Sequence, residues 1–141
     1  MIAYFDTSAF IPLLIDEPVT DQARVLWSGA ARAMSSRLLY AEARAGLARA
    51  RRMRRLTPGH LASATERLDR AMQQLDQLEI TDRLVRTAGN LAEQLELRGY
   101  DAVHLASAIE AADPDVVLVT RDAALAAAGR RVGLAVAHLA A

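Results

Sequence analysis

Ile2-Ala3-Tyr4-Phe5 and Val116-Val117-Leu118-Val119 are unbroken apolar runs too short for helices, and each gives way to a segment with helical signals. A strand without a polar face must be covered on both sides, the condition of a strand inside a parallel sheet. Parallel neighbours cannot be joined by a tight hairpin, so helical crossovers must lie between them. Two weaker strands are expected at Ala33 to Ser35, from their position between helices, and at Leu134 to Ala137. The chain therefore reads as α/β, with a mainly parallel central sheet under helices on both faces.

The helices follow from periodicity and punctuation. The first is expected to start near Ser8, with Pro12 in its first turn, and the second to run from Thr20 to Ala30. Leu39, Ala43, Gly46, Leu47 and Ala50 share a helical stripe over Leu38 to Ala50, and the arginines from Arg49 to Arg55 extend that helix toward solvent. Thr57-Pro58 supplies a cap and a first-turn proline for a helix whose seam is Leu61, Ala64, Leu68, Ala71, Leu75 and Leu78. Such a narrow seam is expected to pack on a helix of the same chain. Thr81 to Leu97 reads as an amphipathic helix stopped by Gly99. Asp101 starts another that Asp113-Pro114 ends, and Asp122 to Ala128 forms a last one closed by Gly129.

No internal repeat or linker divides the 141 residues, which are expected to form one domain. The chain has no cysteine, so disulfides and thiolate metal sites are excluded and any metal must bind oxygen or imidazole. No run of about 18 uncharged apolar residues is present, and no basic leader precedes Ile2. A cytoplasmic protein that does not enter the membrane is the expectation. The net charge of zero hides a segregation: residues 37 to 67 carry eight arginines against two acids, and the remainder nine against fifteen. All seventeen cations are arginine, each a planar fork suited to phosphate.

Asp6 follows the first strand and Asp122 lies just beyond Val116 to Val119, so both stand at strand C-termini, where open parallel sheets bind ligands. Asp101 adds a carboxylate at a helix start. Glu42 shares the stripe of Leu39, Ala43, Gly46 and Leu47, so it faces the body of the protein and needs a counterion. Taken singly, each aspartate is explained as an N-cap, and Glu42 by a pair with an arginine such as Arg121. Taken together, four clustered carboxylates repel one another unless a cation holds them. An oxygen-only set suits Mg²⁺ or Mn²⁺, and such ions activate water and neutralise charge in phosphodiester cleavage. Thr7, Ser8 and Thr120 flank two of the acids, with hydroxyls able to hold a metal-bound water or a phosphate oxygen, or to serve equally as local caps.

Four segments resemble the PIN domain of the VapC type: Tyr4-Phe5-Asp6-Thr7-Ser8-Ala9-Phe10, Ala41-Glu42, Gly99-Tyr100-Asp101-Ala102-Val103-His104-Leu105-Ala106-Ser107-Ala108, and Val119-Thr120-Arg121-Asp122. The resemblance spans essentially the whole chain. It implies an α/β/α sandwich and a Mg²⁺-dependent endoribonuclease that is the toxin of a bacterial toxin–antitoxin pair. It also implies homodimers, inhibited by a VapB-like antitoxin that reaches into the acidic pocket. Asp6 and Asp101 would then be the principal metal ligands, with Glu42 and Asp122 completing the pocket. His104, one turn beyond Asp101, reads as a packing histidine rather than a general base.

Arg49, Arg51, Arg52, Arg54 and Arg55 continue the Glu42 helix and form a candidate RNA phosphate grip, with a solvated helix face or an antitoxin contact as the other readings. Six aromatic residues in all argue against base stacking as the main recognition device. The absence of lysine speaks against receiver domains and haloacid-dehalogenase-like phosphatases, which place aspartates similarly but use a lysine near the phosphoryl group. There is no Gly-x-Ser-x-Gly and no Gly-Lys phosphate loop. A catalytically silent PIN-fold module that binds RNA or protein is the alternative to a nuclease.

Overall fold

The computed structural model describes residues 1–141. Five parallel strands, β1 (Ile2–Phe5), β2 (Arg32–Ser36), β3 (Asp76–Leu78), β4 (Val116–Thr120) and β5 (Ala135–His138), form one sheet in the order β3-β2-β1-β4-β5. β1 is central, with Tyr4 opposite Met34 on one side and Leu118 on the other. Successive strands run outward from β1 to β3, and the chain then crosses to the far side for β4 and β5. The order reverses between β1 and β4, so the loops after these strands splay to opposite faces and leave a crevice at their C-terminal ends.

Side-chain alternation along β1 and β4 divides the core. Ala3, Phe5 and Val119 pack with α1 (Thr7–Leu14), α2 (Thr20–Gly29), α3 (Leu38–Arg52) and α4 (Pro58–Met72). Ile2, Tyr4, Val116 and Leu118 pack with α6 (Gly99–Glu110) and α7 (Ala123–Arg131). The helix α5 (Asp82–Leu95) covers α6 through Leu84, Ala88, Ala102 and Ala106. The α/β/α sandwich expected from the sequence is therefore present, and every strand pair is parallel. Thr57, Thr81 and Asp122 each accept a hydrogen bond from the third amide beyond them, as N-caps should.

Several boundaries differ from the sequence reading. Asp6 rather than Ser8 sets the start of α1, accepting from the Ala9 amide at 3.0 Å, which puts Pro12 inside the helix instead of in its first turn. Only two residues of α1 follow Pro12, so its missing amide removes little, and its carbonyl accepts from Thr20 Oγ1. The α4 seam does pack within the chain, through Ala64, Leu68 and Leu75. The helix ends at Met72, however, and Leu78 belongs to β3, a strand the helical spacing concealed. Glu96 terminates α5 by adopting the left-handed conformation itself (φ 55°), which leaves Gly99 to begin α6. Asp101 is thus a first-turn residue of α6 and not its cap. Gly129 does not close α7 but lies within it, where an added Cβ would stand 2.9 Å from Leu118 and 3.0 Å from Val136. Close helix-to-sheet approach is the reason for that glycine. No helix is long and apolar enough to cross a membrane.

Candidate active site

The crevice beyond β1 and β4 collects all four predicted acids. Asp6 leaves the end of β1, its amide still bonded to the Val119 carbonyl, and Asp122 caps α7 just past β4. α3 and α6 lie on opposite faces of the sheet, and their ends lean together over its edge, bringing Glu42 and Asp101 to the same place. The four carboxylates line one cavity of about 750 Å³, with Arg49, Arg52 and Arg98 on its walls.

Each acid has partners of its own. Asp6 is 3% exposed and accepts from the Ala9 amide, from Ser8 Oγ (2.8 Å to Oδ1) and from Thr120 Oγ1 (2.7 Å to Oδ2). Burial raises the Asp6 pKa above the ordinary carboxylate value, with His104 and these hydrogen bonds only partly opposing it. Burial also raises the Asp101 pKa, against the opposing pull of Arg98, whose Nε donates to Oδ2 at 2.9 Å. Arg98 Nη2 donates in turn to Asp122 Oδ2 at 3.2 Å. No buried side-chain polar atom lacks a partner, and no three acidic or histidine side chains converge tightly enough to hold an ion as they stand. The donor chemistry nonetheless fits a hard cation: all-oxygen ligands on one cavity, with a guanidinium already drawn in between two of them.

The partner of Glu42 is His104, not an arginine. His104 Nε2 lies 2.6 Å from Glu42 Oε1, which also accepts from Thr7 Oγ1 at 2.7 Å, whereas Arg121 pairs with Glu17. A carboxylate only accepts, so Nε2 carries the proton in this contact. In the neutral ring Nδ1 is then an acceptor, and the Tyr4 hydroxyl, 2.9 Å away, donates to it. Burial pushes the Tyr4 phenol far above its ordinary range, so it remains a donor. His104 is packed, as its sequence context suggests, but at 1% exposure it also holds a site carboxylate. The hydroxyls of Thr7, Ser8 and Thr120 are likewise engaged by Glu42 and Asp6 rather than left for a phosphate.

The arginine run divides. Arg49 and Arg52 line the acidic cavity, and Arg55 lines the adjoining groove with Arg49 and Arg121, while Arg51 and Arg54 line neither. The helix ends at Arg52, and Arg54 takes a left-handed turn (φ 60°), so the run does not continue as one helical arm. Sequence reasoning missed Arg98 and Tyr100. Their signal was present, since Arg98 lies one helical turn before Asp101 and its guanidinium stacks 4.8 Å from the Tyr100 ring centroid.

The PIN-domain family profile matches residues 3–131. This chain belongs to the PIN-domain family. Within it, the chain groups with the VapC ribonucleases: it is 41% identical over 136 residues to Ribonuclease VapC45 of Mycobacterium tuberculosis, covering 96% of this chain and 94% of that protein. Ribonuclease VapC46 of the same organism is 34% identical over 134 residues, covering 94% of each. In fold, this PIN domain resembles the crystal structure of M. tuberculosis VapC20, with a TM-score of 0.70 at 20% identity over 90% of this chain and 95% of the other. The parallel sheet between two helical layers is therefore that of a PIN domain.

Proposed function

We propose that this PIN domain is a metal-dependent endoribonuclease, the toxin of a toxin–antitoxin pair, cutting RNA at Asp6, Glu42, Asp101 and Asp122. The observation that carries this reading is that four acids from four separate elements line one cavity with Arg49 and Arg52 on its wall. Asp6 and Asp101, the most buried of the four at 3% and 7% exposure, are the principal ligands for Mg²⁺ or Mn²⁺, and Glu42 and Asp122 complete the pocket. When bound, such an ion supplies neutralisation of phosphate charge and an activated water.

The chain's own residues supply the rest. Ser8, Thr120 and the Ala9 amide fix both oxygens of Asp6, so this acid cannot rotate out of the pocket. Thr7 and His104 share Oε1 of Glu42 and leave Oε2 without a protein partner, directed by that anchoring. Arg49 and Arg52, which make no ion pair, bring positive charge to a pocket that would otherwise repel RNA. A VapB-like antitoxin as partner is supported by relatives solved as VapBC complexes, including VapBC2 from Rickettsia felis, whose fold matches at a TM-score of 0.67 over 99% of this chain. Homodimerisation in the cytoplasm belongs to the same proposal.

Incubating the purified protein with total bacterial RNA, with and without Mg²⁺ and beside an Asp6→Ala variant, tests it. Discrete new 5′ ends that require both the metal and Asp6 are the expected result. RNA binding without cleavage under every metal condition would favour the catalytically silent module.

A further inference from the structure

Arg98 differs from every other arginine of the cavity in the way it meets the acids. One guanidinium spans Asp101 and Asp122, which come from different helices, and in both cases the contacted atom is Oδ2. Asp122 Oδ1 is occupied by the Leu125 amide at the start of α7, so Oδ2 is the oxygen it has left for a cation. The backbone at Arg98 is extended (φ −64°, ψ 152°) as the N-cap of α6, and its side chain makes no capping bond. It is free to reach forward over the first turn to Asp101.

Burial runs in opposite directions across this contact. The Asp101 and Asp122 side chains are 10% and 27% exposed, while that of Arg98 is 62% exposed. The anions are fixed inside and the cation leans in from water, resting on the Tyr100 ring at the mouth. A guanidinium so placed can leave without being stripped from a buried site, because most of it is already hydrated. A hard divalent ion seeks the same carboxylate oxygens that Arg98 contacts.

We propose that Arg98 is the built-in counterion of the metal-free pocket, and that a divalent cation must displace its guanidinium from Asp101 and Asp122 to load. This rests on the metal-dependent reading given above. The protein without metal is thereby spared repulsion between Asp101 and Asp122, and the apparent metal affinity is lowered by the free energy needed to release Arg98.

Calorimetric titration of Mn²⁺ into the wild type, Arg98→Gln, Arg98→Lys and the control Arg86→Gln tests the displacement directly. Arg86 pairs with Asp82 on exposed α5, outside the cavity. Arg98→Gln is expected to bind Mn²⁺ roughly tenfold more tightly, Arg98→Lys to fall between it and the wild type, and Arg86→Gln to match the wild type. Thermal melts give a second readout: Arg98→Gln melts below the wild type in EDTA, and saturating Mn²⁺ removes that deficit. Unchanged or weaker Mn²⁺ binding by Arg98→Gln, or a melting deficit that persists in Mn²⁺, would overturn the inference and leave Arg98 a purely structural tie. Absence of Mn²⁺ binding in every variant would overturn the metal-dependent reading, and this inference with it.

Discussion

Helix α3 and the turn beyond it carry two charged regions of opposite character within fourteen residues. Near its start Glu42 is turned inward and held by Thr7 and His104, and the acids around it are held as closely by Ser8, Thr120 and Arg98. At its end and in the turn that follows, Arg49, Arg51, Arg52, Arg54 and Arg55 lie close together, and none of them forms an ion pair. Buried charge must be compensated inside the protein, because the interior offers no water to do it. Surface charge need not be, and a cluster of like charges left unpaired in solvent raises the local potential for a polyanion. The acidic half is therefore a site of fixed geometry and the basic half a site of field.

If that contrast is right, small geometric changes should damage the first region and only the sum of charge should matter in the second. The largest effect is expected for Asp101→Asn, which keeps the shape but removes the charge of a proposed metal ligand. RNA cleavage should fall more than about 100-fold, since partners of ligands alone are worth 10- to 100-fold, with circular dichroism unchanged and Mn²⁺ affinity largely lost. His104→Gln removes the imidazole that holds Glu42 and should lower cleavage by roughly 10- to 100-fold while leaving RNA affinity intact. An RNA-binding defect of the same size would instead place His104 in substrate contact.

On the basic side, replacing Arg49, Arg52 and Arg55 together by alanine should weaken RNA binding about tenfold and reduce the log–log salt slope by about 2. The pair Arg51 and Arg54, which line neither cavity, should change the slope by less. Equal slopes per arginine removed would mean that position within the run is irrelevant.

The smallest effect sharpens the contrast most. Burial raises the Asp6 pKa in the folded, metal-free protein, so the fold binds protons more tightly than the unfolded chain does. Metal-free stability should then increase as pH falls from neutrality through the raised Asp6 value toward 3.8, the value of the unfolded group. Asp6→Asn should weaken that dependence, leaving the part due to buried Asp101, and raise the metal-free Tm by a few degrees, about 1 kcal/mol in a chain of this size, while abolishing cleavage. A lower Tm would show that its hydrogen bonds outweigh its desolvation.

Much of this was legible in the residues. The apolar runs Ile2 to Phe5 and Val116 to Val119 contain their own burial requirement, and each fixes an aspartate at a strand end. Glu42 could be placed inward from the stripe it shares with Leu39, Ala43 and Leu47, all three buried. Short or ambiguous signals failed where tertiary contacts decide. β3 is three residues long and hidden in a helical spacing, and it exists because Met34 to Ser36 offer it a parallel neighbour. Gly129 looked like a stop signal, and only the approach of α7 to Leu118 and Val136 gives it a different reason.

By itself, then, the sequence determined the fold class, the absence of thiolate chemistry and the identity of four acids, because period and residue type are local properties of the chain. Tertiary structure alone decided which partner answers which acid. Arg98 meets both Asp101 and Asp122, and His104 rather than Arg121 meets Glu42. Such pairings depend on distances of a few ångströms between elements far apart in sequence, and those distances are set by how α3, α6 and α7 pack over the edge of the sheet.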